Sequence, residues 1–196
     1  MEETLVRANW MKFVIHGLKR TDEPVRGNVL ARIPEEVRRE IRVAGRLAWL
    51  PARVFVTLAN AILAGVGPAG ARTFWRRSLR DSIEVPFMRP LVHGALFLWG
   101  DTPASLVRRT GQAWHLVTKN CGDFRSVETG EANSIVFRGE NIAPSCRVSS
   151  LVPMWAGGLE GQLDWIGTEG TVEPHSHQFD QEGTIEFLVR WQPKRR

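Results

Sequence analysis

Near residue 120 the apolar residues change their spacing. Before it they recur every three or four positions, as on helices; beyond it they mostly alternate, as on strands. Helices first and hairpins afterwards leave few architectures open, and they point to an α+β fold with an antiparallel sheet. The helical part covers about 1–120 and the sheet-forming part about 121–192. A short basic tail, Pro193-Lys194-Arg195-Arg196, is expected to fray. No linker, internal repeat or low-complexity stretch divides the 196 residues, so a single domain over 1–196 is expected.

In the helical half, residues 12–18 (Lys-Phe-Val-Ile-His-Gly-Leu) read as a short strand, and a polar stretch with Asp22, Glu23, Pro24 and Gly27 follows. Pro34-Glu35-Glu36 opens a helix, with proline in the first turn and two acids against the positive end of the helix dipole; Gly45 ends it. Trp49-Leu50-Pro51 starts another. Its apolar positions from Val54 to Leu63 run almost all the way round, so it should be central, and Gly65, Gly67 and Gly70 should break it. Residues 69–82 form a basic amphipathic helix, with Phe74, Leu79 and Ile83 inward and Arg72, Arg76, Arg77 and Arg80 outward. Pro86 and Pro90 precede an apolar helix over 91–99. Thr102 and Pro103 then cap and open one running to about Thr118.

In the second half, residues 124–129 and 134–138 make a hairpin through Gly130-Glu131-Ala132-Asn133. Leu151, Trp155, Leu159, Leu163 and Ile166 form one helical stripe, and Gly157, Gly158 and Gly161 beside it suggest close approach to a neighbour. Strands over 170–177 and 184–191 close the chain. The order is strand-strand-helix-strand-strand behind a helical N-terminal half.

Composition narrows the function classes. Tyr is absent, which removes any chemistry that needs a phenol, while Trp occurs eight times. The acidic N-terminus lacks the apolar run of a signal peptide, and the apolar stretch 54–66 is too short and too polar to be read as a transmembrane segment, so a cytoplasmic protein is expected. Cys121 and Cys146 are then expected to be two reduced thiols. Residues 1–120 hold 19 Lys/Arg against 10 Asp/Glu, and 121–196 hold 7 against 11. The arginines are spread over several helices without a recognition motif, so specific nucleic-acid binding is not expected.

Certain landmarks resemble a known group. Ile33-Pro34-Glu35-Glu36, Trp49-Leu50-Pro51, the helix–strand–strand run 103–138, and Trp155-Ala156-Gly157-Gly158-Leu159-Glu160-Gly161-Gln162-Leu163 with a closing strand ending at Trp191 carry the likeness. The chain resembles the fold group of haem-NO-binding sensor domains, 4-vinyl-reductase-like ligand-binding domains and TRAPP vesicle-tethering subunits. Within it, the chain is most similar to a myxobacterial paralogous family of unknown function. The resemblance implies a non-enzymatic, sensor-like small-ligand-binding or regulatory domain. The alternative is a protein-interaction module that dimerises or docks a partner through helix faces.

Haem-NO-binding domains hold iron through a helical histidine and grip the propionates with Tyr-x-Ser-x-Arg. His93, in the apolar run 91–99, is the candidate axial ligand, but without tyrosine that motif is not intact, and haem is not expected. His175 and His177 would share one face of a strand, with Glu173 or Asp180 near, as a partial zinc site at an exposed hairpin; zinc is not expected either. Cys121 or Cys146 with His115 is the natural nucleophilic dyad, and Lys119 could lower the Cys121 pKa. No phosphate loop, nucleophile elbow or zincin motif accompanies them, so no enzyme is expected. Gly65, Gly67 and Gly70 lie between helices, unlike a nucleotide-binding loop. An apolar pocket for a hydrophobic small molecule would draw on Phe87, Phe97, Trp99, Trp114 and Trp155.

Overall fold

The computed structural model describes residues 3–83 and 102–192. The expected helix over 91–99, with Pro86, Phe87, Pro90, His93, Phe97 and Trp99, and the tail 193–196 lie outside them.

Strand β1 (Leu5–Arg7) leads directly into helix α1 (Ala8–Leu18). The expected strand over 12–18 is thus helix. Val14 and Ile15 favour strands locally, but Ala8, Met11, Val14 and Leu18 recur at helical spacing and are all buried, so burial of one face decides. The polar stretch after it is also helical: Pro24 sits in the first turn of α2 (Glu23–Leu30). Helix α3 (Glu35–Val43) follows as expected, burying Val37 and Ile41. Trp49–Pro51 is a strand, β2, and not a helix start; it pairs antiparallel with β1.

Helix α4 (Ala52–Ile83) is central, with Val54, Phe55, Leu58, Ala59 and Ile62 sealed in the core. The expected break is present at Gly67, which takes the non-helical φ 71° and ψ 174°; Pro68 follows, and a second helical stretch continues across the kink. Among the described residues this is the one helix long and apolar enough to cross a membrane, and Val54, Phe55, Leu58, Ala59, Ala61 and Ile62 along it lie in the core. Helix α5 (Pro103–Val117) begins at Thr102, whose side chain accepts from the Ser105 N–H. Strand β3 (Thr118–Lys119) adds to the other edge of β1, giving a small sheet β2-β1-β3.

The second half follows its pattern. Strands β4 (Asp123–Glu128), β5 (Ser134–Glu140), β6 (Gly170–Gln178) and β7 (Thr184–Trp191) form an antiparallel sheet ordered β4-β5-β7-β6. Helix α6 (Leu151–Trp165) lies between the two hairpins in sequence, and a short α7 (Phe179–Glu182) joins β6 to β7. One core cluster runs from Val6 to Val189 and includes both sheets and the long helices.

The closest helix–helix packing at a glycine is α4 against α6. A methyl group at Gly157 would fall on the Arg72 carbonyl oxygen, and one at Gly161 would come within 2.7 Å of the Arg76 carbonyl oxygen. Gly158, between them, would meet nothing within 4 Å. Gly157→Ala is therefore expected to cost about 3 kcal/mol, because helix backbones must separate. Gly158→Ala should leave stability unchanged or raise it by about 0.5–1 kcal/mol through helix propensity. Urea denaturation of the two variants checks this; equal effects would remove the close-approach account of Gly157.

Candidate functional site

Three helices converge on an apolar cleft. Helix α1 contributes Trp10, Phe13 and Val14; α4 contributes Trp75, Ser78 and Leu79; α6 contributes Met154 and Gly158. The spacings are i, i+3, i+4 on the first two helices and i, i+4 on the third, so each helix turns one stripe toward it. Gly158 lacks a side chain where α6 faces the cleft, which explains why it stays open while its neighbours at 157 and 161 are pressed against α4. The space these residues hold is small, about 30 Å³, so they form a face and not a chamber. Trp10 Nε1 and Trp75 Nε1 are both shielded from water and have no hydrogen-bond partner among the described residues, as is true of Trp114 Nε1 and Trp165 Nε1 elsewhere. An indole N–H left so costs roughly 1–3 kcal/mol, and an acceptor on a bound molecule would recover it.

Two bidentate ion pairs fasten the cleft's far wall. Arg72 donates from Nε and Nη2 to Glu160 at 3.0 and 2.6 Å, and from Nη2 to the Val172 carbonyl at 2.5 Å. Arg76 donates likewise to Asp164 at 2.7 and 2.6 Å. The hydrogen bonds to Glu160 and Asp164 raise the pKa of the two guanidinium groups, against the opposing effect of burial. The expectation that Arg72 and Arg76 point outward is thus corrected. Both lie on the α6 side of α4, where the four-residue spacing of the arginines meets that of the acids. Removing Arg72 leaves the nearly buried Glu160 uncompensated, so Arg72→Met should cost about 2–4 kcal/mol. Arg125→Met breaks an exposed pair with Glu140 and should leave the melting temperature nearly unchanged. Thermal unfolding of both variants compares them directly.

A second cavity, about 440 Å³, opens where the bend of α4 faces α1 and α2. Leu18, Val29, Ile62 and Phe74 supply apolar lining, and Asp22, Arg77 and Asp81 supply charge. Neither cavity coincides with the expected pocket. Trp114 and Trp155 are buried in an aromatic cluster with Phe124 and Phe137, with ring centroids 4.2–5.5 Å apart. They fill the space between α5, α6 and the sheet instead of lining a cavity. Phe87, Phe97 and Trp99 lie outside the described residues. Trp10, Phe13, Val14 and Trp75 went unpredicted as lining, although their three- and four-residue spacing was readable once α1 was taken as a helix.

The remaining candidates separate. His175 is exposed, and the strand register shifts between Pro174 and Ser176, at His175. Among the described residues no group of three or more His, Cys, Asp or Glu could hold a metal ion. His115 lies at the surface with Nε2 3.9 Å from Asp123, whereas the Cys121 thiol turns inward and donates to the Leu5 and Lys119 carbonyls at 3.5 and 3.4 Å. No Cys–His dyad forms. Lys119 does not activate Cys121; its ammonium sits over the Trp49 ring at 4.6 Å, and the Cys121 pKa is raised by a hydrogen bond to Cys146 and by burial.

No family model matches the sequence, and no curated protein matches it. Solved structures match the fold. A variant of Tt H-NOX superposes with a TM-score of 0.65 at 13% identity, covering 95% of each chain. An oxygen-binding H-NOX domain related to soluble guanylate cyclases gives 0.62 at 14%, again over 95% of each chain. Fe(II) unliganded H-NOX protein from K. algicida gives 0.63 at 9%, over 96% of this chain and 97% of that one. The chain therefore has an α+β architecture related to the H-NOX sensor fold, a remote but consistent likeness.

These matches overturn one expectation. The exclusion of haem, made because the chain lacks tyrosine, does not stand: structures sharing this fold along nearly the whole chain include ones studied for haem redox potential and for haem distortion in the H-NOX family. The cleft face is apolar and aromatic, with two buried N–H donors that have no acceptor among the described residues. An iron ligand is not among the lining residues, and His16, His115 and His175 are exposed.

Proposed function

We propose that this chain is a sensor-like ligand-binding domain whose site is the α1–α4–α6 cleft, and that its ligand is a haem held by His93. The observation that carries the reading is the pair of buried, unpartnered indole N–H groups on an apolar face, in a fold related to H-NOX. His93 supports it from the sequence, as the histidine in the apolar run 91–99. Bound haem would supply an iron centre for a small gaseous or anionic ligand. The chain's own residues would do the rest. Phe13, Val14, Leu79 and Met154 exclude water, and Trp10 and Trp75 offer hydrogen bonds to an acceptor at the ring face.

Titration of the full chain with hemin, followed in the Soret region, tests this. A saturable 1:1 band is expected, weakened at least about tenfold by His93→Ala and restored in His93→Gly by added imidazole. A spectrum indifferent to His93, or no band, would refute the assignment. A second reading uses the 440 Å³ cavity, within the usual range for small-molecule sites, for an amphipathic molecule. It predicts a bound species without a Soret band. The narrower likenesses, to myxobacterial paralogues and to TRAPP-like docking or homodimerisation through helix faces, stand behind both; a single cytoplasmic domain suits all of them.

A further inference from the structure

Among the described residues three large apolar side chains stand exposed, Val43 (75%), Leu47 (76%) and Leu116 (73%). A single exposed apolar residue is ordinary; what surrounds it decides its meaning. Val43 ends α3, and Leu47 lies four positions on, in the loop between α3 and β2. Two of the three thus belong to one short piece of chain. The described residues leave that loop uncovered: a methyl at Gly45, midway between them, would meet nothing within 4 Å.

Cations surround this loop, and they are placed without being neutralised. The loop lies along the first turn of α1, where the Ala8 and Asn9 N–H groups donate to the Ala48 and Arg46 carbonyls at 2.9 and 3.1 Å. The Lys12 ammonium, one turn further, donates to the Arg42 carbonyl at 3.1 Å. Arg7 donates to the Leu47 carbonyl, and its guanidinium carbon lies 3.8 Å from the centroid of the Trp49 ring. The Lys119 ammonium lies over the same ring. Carbonyl oxygens and a ring face hold Arg7, Lys12 and Lys119 in position but leave their charge uncompensated. Arg46, exposed beside Leu47, has no ion pair among the described residues. The acids of α3 are engaged or distant. Glu35 pairs with Arg38 and Arg42, Glu40 pairs with Arg53, and Glu36 lies in the first turn, at the helix's other end. Glu3, exposed just before β1, is an acid on the border.

We propose that this loop is a docking surface for an anionic lipid bilayer. Val43 and Leu47 enter the headgroup boundary, and Arg7, Lys12, Arg46 and Lys119 face the lipid phosphates. Two properties favour a bilayer over an acidic protein. The apolar side chains project from an exposed loop, which a fluid surface accepts, whereas a folded partner would need a matching hollow. Trp49, half-buried beneath its cations, is the amphipathic kind of ring that settles at headgroup depth. Neither component suffices alone: two aliphatic side chains bury little area, and four exposed charges are screened by salt. Acting together they give a reversible attachment. The proposal goes beyond the cleft and its ligand, although α1 runs from this surface to the cleft and serves both.

The test is co-sedimentation of the full chain with vesicles of phosphatidylcholine alone and of phosphatidylcholine with about 30% phosphatidylglycerol. Binding to the anionic vesicles only is expected, weakening at least about tenfold as salt rises from about 0.05 to 0.3 M. The double variant Val43→Ser, Leu47→Ser should weaken it at least about fivefold, and so should Arg46→Glu with Lys119→Glu. Arg190→Glu, a charge reversal on β7 in the sheet half, should leave binding nearly unchanged. The melting temperatures of all variants should match that of the wild type, since each changed side chain is exposed. No binding to either vesicle, equal binding to both, or loss on charge reversal without any effect of the serine pair would each overturn the proposal. The last would mark a surface for soluble polyanions such as acidic proteins. The readout does not involve haem, so failure here leaves the cleft assignment standing, and the converse holds.

Discussion

The approach of α4 to α6 is the constraint on which the rest of the molecule depends. Gly157 and Gly161 let the α6 backbone reach the carbonyls of Arg72 and Arg76, a distance no side chain would allow. The same two arginines then reach past the contact to Glu160 and Asp164, so the four-residue spacing of one helix locks onto that of the other. Close packing and ion pairing at one crossing fix both rotation and sliding. That in turn fixes where Trp75, Met154 and Gly158 stand, and α1 lies across them to complete the cleft.

The crossing also joins the two halves of the fold. Helix α4 belongs to the helical half and α6 to the sheet half, and the Arg72 bond to the Val172 carbonyl continues from α6 into β6. A ribbon of three short strands, β2-β1-β3, ties the end of α5 to the start of α1 within the helical half. The cleft sits on the α4–α6 crossing, so a group bound there acts on the connection between the halves.

Much of this was legible in the sequence, and the failures have physical causes. The change of period near residue 120, the hairpins and the stripe from Leu151 to Ile166 rest on burial of one face, which sequence records directly. The strand read over 12–18 failed because β-branched residues were weighed locally, while Met11, Val14 and Leu18 at helical spacing carry the burial. Arg72 and Arg76 were assigned to solvent because their acidic partners lie 88 residues away, a pairing no local pattern reveals. The same limit applies to the site. Trp114 and Trp155 were singled out as large aromatics, yet size alone does not distinguish a packed ring from a lining one. The lining pair, Trp10 and Trp75, is marked by where α1 and α4 meet α6, a property of the assembled fold.

The central claim is that the cleft face is built for a bound group. Native mass spectrometry of the full chain purified from cells supplied with haem precursor, with an absorption spectrum of the same sample, tests it most directly. The account predicts one added mass per chain, equal to haem and lost on denaturation, with a Soret band. A native mass equal to that of the bare polypeptide, with no Soret absorption, would contradict it.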